Sequence, residues 1–396
     1  MASSPLFQSL RPAARDLPES GIVELVNNGR SKQDLIPLWV GEGQLPTPDF
    51  ICEAAYGAMV KGDTFYTHQR GIPPLREALA RYHTRQFDRA FEPERFFITG
   101  SGMQAVQLAL HALAGHGDEV IIPTPAWPNF ASAAEIADAR AVEVPMQLEG
   151  ECGDSQWVLD LDAVEAKITN RTRALFINTP GNPTGWTADE ATLRTILEMC
   201  RRHGIWIVAD EVYNRFYYSG KRAPSFYDII DDDDRVIFTN TFSKNWAMTG
   251  WRVGWISAPA ELGQVFENLI QFSTSGVASF LQPACVEALD KGEAFVERQV
   301  STAKQSRDVI CDKLAKTGRV HFAVPDGAFY LFFSIDTVEN SRIAALNMIE
   351  TANIGLAPGS AFGLSAEKYL RLCFATEPDI VSEAGDRLTN WLMNSI

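Results

Sequence analysis

Four short segments carry side chains suited to chemistry, and an apolar, strand-like run precedes each of them. The densest is Thr241-Phe242-Ser243-Lys244-Asn245-Trp246-Ala247-Met248-Thr249-Gly250-Trp251-Arg252-Val253-Gly254-Trp255. A lysine set among hydroxyls and aromatics, with an arginine eight residues on, is expected to have a lowered pKa and an amine nucleophilic toward carbonyls. Arg252, Thr241 and Ser243 supply the donors of a phosphate cradle. The second segment, Val208-Ala209-Asp210-Glu211-Val212-Tyr213, puts an acid directly after a buried run. Such an acid is either a helix N-cap or a functional carboxylate at a sheet rim, where it can hold a ring nitrogen protonated, because opposite charge favours the charged form. The third, Asn178-Thr179-Pro180-Gly181-Asn182-Pro183-Thr184-Gly185, is stiffened by prolines and kinked at glycines. It is either a rigid connection or a device that aims the Asn182 amide at a ligand oxygen, and a cis bond before a proline is compatible with it. The fourth, Thr99-Gly100-Ser101-Gly102-Met103-Gln104-Ala105, turns into a helix whose free N–H groups suit a phosphate. Its Gly-x-Gly-x-x-Ala pattern equally fits a dinucleotide fingerprint, with Asp118 as the ribose acid, or a plain tight turn.

These segments need a scaffold that gathers strand ends, and the text between residues 75 and 290 supplies one. Helical periodicity is expected over 75–86, from 102 to 114 and over 187–203, the last with Thr187 and Glu190 as a capping box. Strands are expected over 95–99, 119–122, 174–178, 205–209, 235–239 and 251–257. Apolar strands alternating with helices indicate an α/β fold, a mostly parallel sheet covered on both faces, whose ligands bind at the carboxyl ends of the strands. After about residue 290 the pattern becomes α+β: a helix over 294–317, antiparallel strands around Pro325-Asp326-Gly327, a helix over 341–351, further strands and a closing helix. The domains expected are 1–48, an arm with part of a small domain; 49–290, the large domain; and 291–396, the rest of the small one. The charge run Asp231–Asp234 reads as a solvated turn.

Composition narrows the function classes. The chain has 396 residues, 46% apolar and 21% charged, with a formal charge of −15. So acidic a chain lacks the Lys/Arg stripes that nucleic acid requires, though one local anion pocket remains compatible with it. Six cysteines (Cys52, Cys152, Cys200, Cys285, Cys311, Cys373) show neither a CxxC pair nor zinc-ligand spacing, so no metal is expected and free thiols in a reducing cytoplasm are. No apolar run of about 18 residues is present, so no membrane span is expected. The first twenty residues carry Asp16 and Glu19 and no apolar core, and read as an arm or frayed end rather than a signal peptide. Without secretion, the Asn170-Arg171-Thr172 sequon has no meaning.

An amine for a carbonyl, an acid for a pyridinium, an amide and a phenol for a ring hydroxyl, and an anion nest together match pyridoxal phosphate. In the order and spacing of its NPTG, DEVY and SKxxxMTGWRVG segments the chain resembles the fold-type I, class I/II (aspartate-aminotransferase-like) aminotransferases. The likeness runs from Val40-Gly41-Glu42-Gly43 to Tyr369-Leu370-Arg371-Leu372-Cys373-Phe374-Ala375. The resemblance implies a large domain with a mostly parallel seven-stranded sheet plus a smaller α+β domain, and a ping-pong exchange between an L-amino acid and a 2-oxo acid. It implies that Lys244 holds the cofactor aldehyde and then moves the proton, that Asp210 pairs with the pyridinium, and that Asn182 and Tyr213 hydrogen-bond the ring oxygen. Trp127 would stack on the ring, while Ser101, Gly102, Met103, Thr241, Ser243 and Arg252 would hold the phosphate. Arg371 would clamp the substrate carboxylate, helped by Asn182 and the Gly41 backbone. Tyr66 resembles the tyrosine that reaches the neighbouring subunit's phosphate, which implies a homodimer.

Two departures stand out. Thr241 replaces a serine common in relatives and keeps the hydroxyl. Met103 stands where some bacterial aspartate aminotransferases carry a lysine for the substrate's distal carboxylate; a methionine offers a soft apolar wall instead. The substrate expected is therefore aromatic, aliphatic or otherwise uncharged at its far end, unless a distal arginine comes from elsewhere. The rival readings are an aspartate aminotransferase or a C–S β-lyase on the same fold. More distant ones are a pyridoxal-phosphate-binding transcription regulator and a nicotinamide dehydrogenase.

Overall fold

The apolar runs become strands of one seven-stranded sheet in the computed structural model, which describes residues 4–150 and 155–394. In chain order these are β1 (Phe96–Thr99), β2 (Glu119–Thr124), β3 (Arg140–Pro145), β4 (Thr172–Asn178), β5 (Trp206–Asp210), β6 (Val236–Thr241) and β7 (Gly254–Ser257). Their spatial order is β1-β7-β6-β5-β4-β2-β3. Neighbours run parallel except β7, which is antiparallel to both β1 and β6. Successive side chains of β4 go to opposite faces: Leu175 and Ile177 join one apolar cluster, Ala174 and Phe176 the other. The second of these clusters is covered by helices α3 (Gly102–Leu113), α4 (Asn129–Ile136) and α6 (Gly263–Gln271); the first takes in α2 (Pro73–Phe87) and α5 (Glu190–His203). Near the start of the chain, α1 (Gly21–Gly29) buries Leu25 in the first cluster.

A second sheet is antiparallel: β8 (Val320–Phe322), β9 (Tyr330–Ile335), β10 (Ala357–Pro358) and β11 (Tyr369–Cys373), in the order β8-β9-β11-β10. Helices Glu293–Ala315, Ser341–Ala352 and Pro378–Asn394 accompany it. The segment Ile36–Pro37 pairs parallel with Ile354–Gly355, so the chain returns from its start to its last hundred residues before it reaches the large sheet.

Several expectations need correction. The helix over 187–203 begins at Glu190, and Asp189 is its cap, accepting from the Thr192 N–H at 2.7 Å. Thr187 donates to the Gly185 carbonyl instead. Residues 249–251 form a 3-10 turn and Arg252 has φ 55°, so the last strand of the large sheet starts only at Gly254. Asp231, Asp232 and Asp233 are exposed, whereas Asp234 is buried against Arg201, with Nε to Oδ1 at 2.6 Å. Strand β3 gave no sequence signal because it lies at the sheet edge, half-buried, with Glu143 in its middle.

Five cysteines are free thiols, only Cys52 exposed; Cys152 lies outside the described residues. Among the described residues no helix is long and apolar enough to cross a membrane, and no cluster of metal-ligating side chains occurs.

Candidate active site

Strand register brings the chemical segments to one rim. Asn178, the last residue of β4, pairs with Asp210, the last of β5, and β6 ends beside them at Thr241. The cleft above these ends has a volume of about 350 Å³.

An anion cup forms its floor. Gly102 opens α3, and Ser101 caps that helix, its hydroxyl accepting from the Gln104 N–H at 3.0 Å. The Thr241 and Ser243 hydroxyls stand 2.9 Å apart, and the Ser243 N–H donates to Thr241 Oγ1 at 3.1 Å. Arg252 reaches the same cleft, anchored by Nη1 donating to the Thr249 carbonyl at 2.6 Å. Only glycine allows β7 to run beneath this turn: a Cβ on Gly254 would fall 2.6 Å from the Gly102 nitrogen. Asp118, the acid a dinucleotide would need, instead pairs with Arg173 just ahead of β2, at the opposite end of the strands, so that alternative fails.

The reactive groups face one another across the cup. Asp210 is 3% exposed and accepts from the Val212 N–H at 3.2 Å, but a turn rather than a helix follows it, so it caps no helix. Burial pushes its carboxyl up to about 7, while the Val212 N–H and the Lys244 ammonium pull it down. Lys244 Nζ donates to the Gly41 carbonyl at 2.7 Å. Burial lowers its pKa to about 8, so near pH 8 half of the amine is neutral. A desolvated carboxylate beside a desolvated amine is what a protonated ring nitrogen and an aldehyde would each seek.

The upper wall comes from the second sheet. Arg371, 2% exposed, lies between the rings of Tyr330 and Phe362, with its guanidinium carbon 4.6 and 4.9 Å from their centroids. Its Nη1 donates to Asn182 Oδ1 at 3.0 Å, its Nη2 to the Trp39 carbonyl, and its Nε has no partner. A buried guanidinium with a free donor is poised for a carboxylate. Asn182 is held from below by its N–H donating to Asn178 Oδ1 at 2.8 Å, leaving its amide NH₂ for a ring oxygen. The Thr179-Pro180 and Asn182-Pro183 bonds around it are cis, as is Thr124-Pro125 ahead of Trp127. Trp127 stands edge-on to Phe130 at 5.5 Å, and Met103 Sδ accepts from Asn129 Nδ2 at 3.5 Å.

The structure thus gathers Gly41, Gly102, Met103, Trp127, Asn182 and Asp210 with Tyr213, Thr241, Ser243, Lys244, Arg252 and Arg371 around one cleft. Ser101 adjoins it through its backbone. Tyr66, 94% exposed, is not brought to the cleft of its own chain. Sequence reasoning missed Tyr330, Asn178, Phe362 and Trp39. Asn178 alone carried a signal, as a polar strand-end residue next to the proline loop.

An anion cup, a buried acid and a nucleophilic amine at this spacing fit a phosphorylated pyridine aldehyde. The model of the family "Aminotransferase class I and II" matches residues 33–388. The chain is 34% identical to an aspartate aminotransferase of Pyrococcus horikoshii over 375 residues, 94% of each chain. It is 33% identical to aromatic-amino-acid aminotransferase 2 of Thermococcus litoralis, over 93% of this chain and 94% of that one. The solved structure of an aspartate aminotransferase from Thermotoga maritima superposes with a TM-score of 0.89 at 30% identity, over 97% of this chain and 100% of that one. The chain belongs to the class I and II aminotransferases. It is a fold-type I, pyridoxal-phosphate-dependent enzyme of transamination.

Proposed function

We propose that the enzyme exchanges the amino group between an L-amino acid with an uncharged side chain and a 2-oxo acid, with Lys244, Asp210 and Tyr213 as its catalytic residues. The observation that carries the substrate class is a charge census of the cleft. Among the described residues lining it, only Lys244, Arg252 and Arg371 are cationic. One is taken by the aldehyde, one by the phosphate and one by the α-carboxylate. Met103, Ile22 and Val23 line the same cleft and offer apolar contact and no charge.

Pyridoxal phosphate, when bound, supplies an aldehyde that condenses with amines and an electron-withdrawing ring. Asp210 would keep the ring nitrogen protonated, Asn182 and Tyr213 would hydrogen-bond the ring oxygen, and Trp127 would stack on the ring. Gly102, Met103 and Ser101 offer backbone N–H groups, and Thr241, Ser243 and Arg252 side chains, to the phosphate. Arg371, with Asn182 and Gly41, would fix the substrate carboxylate in the cleft that Lys244 shares, and Lys244 Nζ would be the base that removes the proton from Cα. Lys244 would hold the aldehyde between the two half-reactions and serve as the base within each, so the two substrates would be used in turn, as a ping-pong cycle requires.

The assembly proposed is a homodimer with Tyr66 reaching the partner's phosphate. Its support is that Tyr66 and its chain neighbour Phe65 are 94% and 82% exposed, an aromatic pair open to a partner. A cytoplasmic enzyme of amino acid biosynthesis fits the unpaired thiols, and division at 48/49 and 290/291 follows the change from the large sheet to the small one. An aspartate aminotransferase is the second reading, favoured by relatives of that name; it requires a distal cation from the partner subunit. Stoichiometric release of a 2-oxo acid when no amino acceptor is consumed would instead mark the lyase.

Turnover of the common amino acids against 2-oxoglutarate and pyruvate tests the class. Met103→Lys is expected to raise the kcat/KM ratio of aspartate to phenylalanine by about tenfold or more, since it places a cation at an apolar wall. An unchanged ratio places side-chain selection elsewhere.

A further inference from the structure

The second sheet contributes a group at the junction of every functional element, and none of the roles above uses it. Tyr330, the first residue of β9, is 1% exposed. Its hydroxyl is 2.8 Å from that of Tyr213, with the two rings edge-to-face at 5.6 Å. The same hydroxyl lies flush on Gly41: a Cβ there would fall 2.0 Å from it, and the Gly41 carbonyl is the acceptor for Lys244. The Tyr330 ring forms one of the two aromatic faces that hold the Arg371 guanidinium.

A phenol has one proton to give. If Tyr213 spent its proton on Tyr330, it could only accept from a ligand, and an anionic ring oxygen has nothing to donate. We propose that Tyr330 is a positioning residue for transamination: its hydroxyl donates to Tyr213 Oη, which turns the Tyr213 proton toward the cofactor's ring oxygen and strengthens that bond, while its ring keeps Arg371 in place for the substrate carboxylate. The inference rests on the assignment of Tyr213 to the ring oxygen. Hydrogen bonds in series polarise one another, so the outer donor makes the inner one stronger.

The consequence is legible in the visible band of the bound cofactor. A bond donated to the ring oxygen stabilises its negative form and so loosens the proton on the neighbouring nitrogen, lowering the pKa at which the band changes. The other charged and titratable groups facing this pair are Asp210 from the Tyr213 segment, Arg371 and Cys373 from β11, and Lys244, whose Nζ is 6.0 Å from the centre of the Tyr213 ring. Lys244 is faced in turn by Glu42 and Arg252. A Tyr330→Phe substitution leaves all of them, and both aromatic faces on Arg371, in place.

The test is a spectrophotometric pH titration of the holoenzyme for the wild type, Tyr330→Phe, Tyr213→Phe and the double variant, with KM for the amino acid measured alongside. Tyr330→Phe is expected to raise the pKa of the band by about half a unit. Tyr213→Phe should raise it further, and the double variant should match Tyr213→Phe alone. KM for Tyr330→Phe should stay within about twofold of wild type, because the ring that holds Arg371 remains. A Tyr330→Phe band that does not move, shifts that simply add in the double variant, or a KM that rises while the band stays fixed would overturn the proposal. If Tyr213→Phe itself leaves the band unmoved, the Tyr213 assignment falls and this inference with it, a result distinguishable from failure at Tyr330 alone.

Discussion

Lys244→Ala is expected to lose turnover by about 10⁴-fold or more, since it removes at once the nucleophile that holds the aldehyde and the base at Cα. No neighbour can substitute. The other cations lining the cleft, Arg252 and Arg371, are guanidiniums and offer no amine, and among the described residues no histidine lines it. The lysine's own environment argues for the role: burial brings its pKa to about 8, well below that of a solvated amine. Stability should hardly change, because the side chain's hydrogen bond is to the Gly41 carbonyl, worth about 1 kcal/mol. Steady-state kinetics and thermal unfolding, run in parallel, check both halves. Turnover at the wild-type rate would remove Lys244 from the chemistry.

Asp210→Asn is expected to cut kcat/KM by about 10²–10³-fold, the loss typical of deleting one preorganised charge at a reacting group. The same change should not weaken the cofactor-free protein, and should strengthen it at high pH. Burial raises the folded-state pKa of Asp210 to about 7, above the ordinary value of 3.8. Between those values the folded protein binds a proton that the unfolded chain does not, so the group's contribution to stability falls as pH rises and stays lost above pH 7. Asparagine keeps an acceptor for the Val212 N–H without the buried charge. The variant's advantage in thermal unfolding should therefore be full above pH 7, shrink as pH falls and vanish below pH 4. A destabilised Asp210→Asn apoprotein at pH 8 would mean that the carboxylate already has a structural cation and is not waiting for a ring.

The chemical residues were legible where function forces an unusual local pattern. Lys244 stood out because hydroxyls, aromatics and an arginine surround it within one segment, and Asn182 because cis-prone prolines bracket it. Arg371 was not legible from its surroundings, since an arginine in a short strand is ordinary; its partner Asn182 lies 189 positions away, and only the likeness of the tail motif raised it. Tyr330 was invisible for the same reason. It sits in an apolar strand with core periodicity, and what makes it functional, the hydroxyl of Tyr213 117 positions earlier, exists only after the two sheets meet. Buried strands of the large sheet were read directly from their unbroken apolar runs, whereas β3, with one face and one edge open, lacked that signal. The cap of α5 was misplaced because Thr187 and Asp189 both precede Glu190 in a capping-like pattern; the acid nearer the helix took the position.

The central claim is that one amine, Lys244, is covalently joined to a pyridine aldehyde in this cleft. Borohydride reduction of the holoenzyme, followed by digestion and mass spectrometry, measures it directly. A single phosphopyridoxyl adduct on the peptide that carries Lys244, with bleaching of the visible band, is the expected result. An adduct on another lysine, or none after saturation with pyridoxal phosphate, would contradict it.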